Sequence, residues 1–245
     1  MNHIFSRTLC TAVIAVFGAS CEANADTVVY QNTTTAVSAF VFNGAATVGS
    51  DLAANVDINE LILAPGYGGS TVTSISFQAD NFNSTAVQAR PVMYVWAANG
   101  AGGTPGTLLG TFALPLEALT TGTTTLSYSI APGSLLVPAN DIIYAGIGFD
   151  NDNGASSISA AQLNDLGGLT YNPATIGTDG VQAYFVAPGG AVNDPSSIAF
   201  GGANAADYGF TVTASTAPEP GVLSLLTLSA PLLLFGIRRA RSNRS

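Results

Sequence analysis

The chain has 245 residues, a formal net charge of -9, and 9% charged against 47% hydrophobic residues. That length suits one or two domains, and the apolar, β-branched content separates this low charge from the signature of disorder. Between Asp26 and Ala217 thirteen acids stand against one base, Arg90, a net charge of -12 that excludes a nucleic-acid surface.

Residues Met1 to Ala25 combine a basic Arg7, an apolar stretch from Leu9 to Ala19, and Ala23-Asn24-Ala25. This is the three-part pattern of a secretion signal, with Ala23 and Ala25 as the small residues that signal peptidase requires and cleavage after Ala25. A lipoprotein signal on Cys21 is an alternative, but Gly18 stands where leucine is usual; a short buried helix is another. Cleavage removes Cys10, Cys21 and His3, and the chain has no lysine. The exported part then has no thiol, imidazole or lysine ammonium, and its stability must come from its core.

Thr27 to Tyr30, Val37 to Phe42 and Ile58 to Leu63 read as strands, the last closed by Pro65-Gly66. Thr71 to Ala79 sets Ile75 and Phe77 against Ser74 and Ser76, a half-buried strand. Val87 to Ala98 is apolar on both faces and belongs in the centre of a sheet, with Pro91 near its start or at a bulge. Asn99 to Gly106, with four glycines and Pro105, is a non-helical loop before a strand from Leu108 to Leu114.

Thr123 to Ile130 alternates cleanly, Leu135 to Val137 is a short strand, and Ile143, Ala145, Ile147 and Phe149 make one face of another. Gly146 and Gly148 on its opposite face indicate close approach or a bulge. Leu163 to Tyr171, Val181 to Val186 and Tyr208 to Ala214 complete about ten strands, with no sustained helical period. The weakly patterned stretch 151–180 is expected at an end or edge. Short strands with turns about every ten residues predict an all-β fold, a jelly-roll-like β-sandwich over residues 26–215.

The side-chain inventory excludes Ser-His-Asp and Cys-His sites, histidine metal centres and Schiff bases in the exported part. Two carboxylates could still hydrolyse a glycoside, and Glu60 and Glu117 are the glutamates available. Asp150-Asn151-Asp152-Asn153-Gly154 offers Asp150 and Asp152 to calcium, though Gly154 takes a ligand position and no bidentate glutamate follows; otherwise it is a turn. Trp96 is either core or an aromatic platform for sugars. Arg90 is expected to pair with one of the acids. No other cofactor is indicated.

From Gly221 to Ile237 no side chain ionises, and Arg238, Arg239, Arg241 and Arg244 follow. As a helix this run is just long enough to cross a membrane, with the arginines holding its end in the cytoplasm. Pro218-Glu219-Pro220, the span and the arginines together resemble the PEP-CTERM sorting signal of Gram-negative bacteria. That resemblance implies processing by an exosortase near Pro218-Glu219-Pro220 and an association with exopolysaccharide and biofilm matrix. A plain bitopic anchor is the alternative.

Val72 to Phe77, Gly102 to Leu109 and Leu135 to Tyr144 resemble β-sandwich modules of anchored bacterial surface proteins, which implies a fold and no activity. The expectation is three segments: a signal helix at 1–25, an exported sandwich at 26–215, and a sorting and membrane-anchor helix at 216–245. The expected function is that of a non-enzymatic surface or matrix protein with a structural or adhesive role. It would cross the inner membrane and be anchored there until processed. A carbohydrate-binding module is the alternative, and a glycosidase the third.

Overall fold

The computed structural model describes residues 26–197 and 207–215. Ala23 and Ala25, Pro218-Glu219-Pro220, the arginines Arg238, Arg239, Arg241 and Arg244, and both expected flanking helices lie outside these residues. Among the described residues no helix is long and apolar enough to cross a membrane.

Strands β1 (Asp26–Gln31) and β2 (Ala36–Val41) precede β3 (Ala46–Val48), β4 (Asp51–Ala53) and β5 (Val56–Ile62). The two longest, β6 (Thr71–Asn81) and β7 (Val87–Ala97), have eleven residues each. After them come β8 (Leu108–Ala113), β9 (Glu117–Leu119), β10 (Gly122–Ser129) and β11 (Ile142–Asp150). A five-residue helix, α1 (Ala160–Asn164), leads into β12 (Leu166–Tyr171), β13 (Thr178–Val186), β14 (Ser196–Ser197) and β15 (Phe210–Ser215).

The fold is all-β, in two antiparallel sheets. The first runs β1-β15-β6-β12-β2, with β10 on the free side of β6. The second runs β14-β13-β5-β11, then β7 beyond β11 and β8 and β9 beyond β7, with β3 and β4 attached at the end of β11. Alternation sends Ile75, Phe77, Phe210 and Val212 of the first sheet, and Met93, Val95, Ile143, Ile147 and Phe149 of the second, into one shared core. This is the arrangement of a sandwich. The aromatic centre is tight: Phe42 stacks on Phe149 at 5.7 Å and meets the edge of Tyr208 at 5.4 Å.

The second sheet also buries its other face. Val56, Ile58, Trp96, Tyr144, Tyr184 and Val186 form a separate apolar cluster there. Gly146 and Gly148 belong to this face because a Cβ at Gly146 would stand 2.7 Å from Ile58, and one at Gly148 2.9 Å from Val56. Close approach explains both glycines, and the register of β11 runs on without a bulge. Pro91 sits inside β7, not near its start, opposite Phe149. It is tolerated where the other edge of β7 passes from β8 to β9, since that gap removes the need for a donor.

Several expectations are corrected. Fifteen strands are present among the described residues, and β3, β4, β9 and β14 have three residues or fewer, too short for an alternating pattern. Leu135 to Val137 is no strand; Leu136 makes only an isolated bridge with Thr71. The loop after Asn99 contains a 3-10 turn at Ala101–Gly103, with Gly102 at φ 71°. Within the stretch 151–180, β12 is internal, between β6 and β2, because Gly167 lets β2 come close: a Cβ there would stand 1.8 Å from the Phe40 carbonyl oxygen. Helix α1 begins in a capping box of Ser159 and Gln162 and is too short to show a period.

Candidate functional site

Three polar constellations stand out, and the first is built on Arg90. Arg90 and Asp150 are direct cross-strand partners on β7 and β11. Nε donates to Asp150 Oδ1 and Nη2 to Asp150 Oδ2, both at 2.7 Å, while Nη1 donates to Asp152. Asp51 lies 3.7 Å from Nη2. The expected pairing of Arg90 with an acid is present, and it involves three of them. The loop after β11 positions Asp152 by a left-handed residue, φ 52°, and by its own N–H on Asp150.

Asp150 and Asp152, the calcium candidates, thus both spend oxygens on a guanidinium. A calcium ion would have to displace a bidentate arginine, so the pair does not fit as a ligand set while Arg90 is in place. Among the described residues no group of three or more His, Cys, Asp or Glu is arranged to hold a metal ion.

The second constellation lies on the outer face of the second sheet. Trp96 is fully buried there, stacked on Tyr94 at 5.8 Å, and its indole N–H donates to the Val192 carbonyl at 2.8 Å. It is core, and no sugar can stack on it. Tyr144 donates to Gly103 O at 2.8 Å, with Glu60 at 3.3 Å, and Tyr184 donates to Gln182. Beside this cluster an open cleft of about 550 Å³ is lined by Asn99, Gly106, Thr107, Leu108 and Asn193.

Glu60 and Glu117 do not meet. Glu60 pairs with Tyr144 and Tyr144 with Trp96, whereas Glu117 pairs with Ala89. The seven residue steps along β7 from Ala89 to Trp96 span about 23 Å. Carboxylates in glycosidases stand about 5 to 9.5 Å apart, so these two cannot act as such a pair.

The third constellation was not anticipated. Asp57 and Asn59 on β5 and Asp179 on β13 point into the sandwich, where Tyr30, Asn32, Asp207 and Tyr208 meet them. Tyr208 donates to Asp57 Oδ2 at 2.8 Å, and Tyr30 donates to Asp179 Oδ1 at 2.6 Å. Asn32, fully buried, donates to Asp179 at 3.3 Å and accepts from the Phe210 N–H at 2.7 Å. The Ala174 N–H holds the other oxygen of Asp179 at 2.6 Å.

Burial dominates the electrostatics. It lifts Asp57 from 3.8 to about 7, against the opposing effect of the Tyr208 hydrogen bond. Asp207 also rises to about 7, through burial and then the neighbouring Asp179. Tyr30 and Tyr208 are pushed well above the ordinary tyrosine range, again by burial first, so their hydroxyls remain donors. The network fastens β1, β5, β13 and the entry to β15 together. It holds proton donors and acceptors, but each tyrosine is already committed to a carboxylate.

No family model matches the chain, and no curated protein matches it. Among solved structures, the clostridial cysteine protease Cwp84 after propeptide cleavage is 11% identical at a TM-score of 0.46, over 78% of this chain and 40% of that one. Infectious bursal disease virus, Gx strain, gives 13% identity and a TM-score of 0.26, over 80% of this chain and 38% of that one. The T13 particle of the same virus gives 14% and 0.29, over 81% and 38%. The chain spans about two-fifths of the length of these structures, and likenesses at these scores carry no inference about its activity.

Proposed function

We propose that this chain is a non-enzymatic protein of the cell surface or extracellular matrix, with a structural or adhesive role linked to exopolysaccharide or biofilm. In this reading signal peptidase cuts after Ala25 and the span from Gly221 to Ile237 lodges in the inner membrane. The arginines Arg238, Arg239, Arg241 and Arg244 keep its end cytoplasmic. An exosortase then processes the chain at Pro218-Glu219-Pro220 and releases it from that anchor. The observation that carries the proposal is the order of motif, uncharged span and arginine cluster in the sequence.

Two features are in keeping with it. Asp26 and Ser215, the residues bordering the two segments to be removed, pair with each other across β1 and β15. The glutamates are too far apart for glycoside hydrolysis. The finer fold within this reading is a jelly-roll-like sandwich between a signal helix and a membrane helix. Replacing Pro218-Glu219-Pro220 by three alanines in the full chain tests it: the variant stays in the membrane fraction while the parent is released. Release of both would refute the role of the motif.

Carbohydrate binding is the second reading, favoured by the open cleft, where Asn193 and the Thr107 hydroxyl suit sugar hydroxyls while Asn99 holds the loop through its bonds to Thr107. Glycan arrays probed with the parent and with an Asn193→Ala variant, which leaves the Asn99 bonds to the loop intact, decide it. Binding by the parent that the variant loses supports the cleft, and no binding by the parent removes it.

A further inference from the structure

Edge strands of natural sheets are protected by shortness, charge, proline or bulges, because their unpaired N–H and C=O groups recruit other strands. Most edges here follow that rule. β14 has two residues and β3 three. β1 opens on Asp26 and carries a bulge between Val28 and Tyr30. β8 and β9 are separated by Pro115, and the β2 ladder breaks register at Tyr171.

β10 carries none of these devices. Its eight residues, Gly-Thr-Thr-Thr-Leu-Ser-Tyr-Ser, include no charge and no proline, and they pair with β6 in unbroken register from Gly122–Asn81 to Ser129–Ser74. Among the described residues nothing pairs with its other edge. Leu126 and Tyr128 face the core while Thr123, Thr125, Ser127 and Ser129 are exposed. Alternate residues therefore turn their backbone groups outward along an uncharged line, on a domain whose formal net charge of -12 would otherwise repel a copy of itself.

The ends of this ladder carry two of the four large apolar side chains that are exposed among the described residues. Phe82, 41% exposed, follows the Asn81–Gly122 pair, and Leu136, 50% exposed, bridges Thr71 beyond the Ser74–Ser129 pair. Antiparallel pairing of β10 with β10 of a second copy would bring the Phe82 end of one molecule to the Leu136 end of the other, twice by symmetry. The exposed threonine and serine rows would then lie side by side, a favourable cross-strand combination.

We propose that β10 is a self-association edge, joining two copies of this chain through a continuous antiparallel sheet across the first sheet of each. The pairing does not depend on how the carboxyl-terminal segment is processed.

The test uses the full chain in mild detergent, with sedimentation mass measured against concentration. Two variants place like charges on the exposed row, Thr125→Lys with Ser127→Lys, and Thr125→Glu with Ser127→Glu; thermal melts confirm that each is folded. The wild type is expected to dimerise, each variant alone to lose at least about tenfold in dimer affinity, and an equal mixture of the two variants to dimerise again. A wild type that stays monomeric at every concentration overturns the proposal. So does association equally strong in both variants, which would assign the contact to another surface or to the apolar carboxyl-terminal segment.

Discussion

Replacing Asp57 by asparagine should remove a pH dependence that the wild type carries into neutral solution. Asp57 is buried against the aromatic centre and receives a hydrogen bond from Tyr208. Its pKa rises from 3.8 to about 7 because burial penalises the charged form. Between about pH 4 and 7 the unfolded chain releases this proton while the folded chain keeps it. Stability therefore falls as pH rises through that window. The rise from 3.8 to about 7, at about 1.4 kcal/mol for each tenfold change in proton affinity, makes the loss about 4 kcal/mol by pH 7. Asparagine can still accept from Tyr208 and does not ionise, so Asp57→Asn should match the wild type near pH 4 and exceed it by about 4 kcal/mol at pH 7. In a domain of this size that is about 10 °C in Tm.

Urea unfolding of the full chain in mild detergent, followed by fluorescence of the single tryptophan, measures this difference directly. Trp96 is fully buried and reports on the packing of the second sheet. Contributions of other acids, Asp207 included, largely cancel in the comparison. A difference between variant and wild type that is the same at pH 4 and pH 7 would refute the reasoning. So would a wild type that gains on the variant as pH rises.

Arg90→Ala leaves the Asp150 carboxylate without its bidentate partner and beside Asp152 and Asp51, and should cost about 3 kcal/mol. Calcium should leave the Tm of the wild type unchanged; a calcium-induced rise would contradict the guanidinium's hold on Asp150 and Asp152. Tyr128→Phe should be neutral or stabilising by up to about 1 kcal/mol in urea melts, because the Tyr128 hydroxyl is buried with no hydrogen-bond partner among the described residues. Gly146→Ala should cost about 1 to 3 kcal/mol in the same assay, because the new methyl group would collide with Ile58 and crowd Trp96 and Val56.

The longer strands were legible because their alternation survives on the exposed side. Leu126, Tyr128 and Ile130 are buried while Thr125, Ser127 and Ser129 are exposed. The same logic fails on β5. There Val56 and Ile58 face outward, and Asp57 and Asn59 face the core, the reverse of what hydrophobicity suggests. The inversion holds because the outer face has its own apolar cover of Trp96, Tyr144, Tyr184 and Val186, and because Tyr208 and its neighbours satisfy the inward polar groups. The Tyr30–Asp179, Tyr208–Asn59 and Tyr208–Asp57 bonds of that network join residues 149 to 151 positions apart, a separation at which no local pattern operates.

The Arg90 cluster was half legible. A lone base among thirteen acids must find a partner, and Asp150 and Asp152 were already conspicuous as a pair. What sequence could not supply was the register placing Arg90 directly across from Asp150, which turns two calcium candidates into partners of an arginine. Gly146 and Gly148 were legible for a firmer reason. Two glycines in an otherwise apolar strand need a neighbour that occupies the space of their side chains, and Ile58 and Val56 fill that role.

The central claim, that the carboxyl-terminal segment is a sorting signal cut by an exosortase, is tested most directly by the intact mass of the mature protein. The full chain is expressed in a host with its exosortase and in the same host lacking it. With the enzyme the product should begin at Asp26 and end near Pro218-Glu219-Pro220, having lost the span and the arginines; without it the span and arginines remain. The same mass in both hosts, with residues 221–245 intact, would contradict the account.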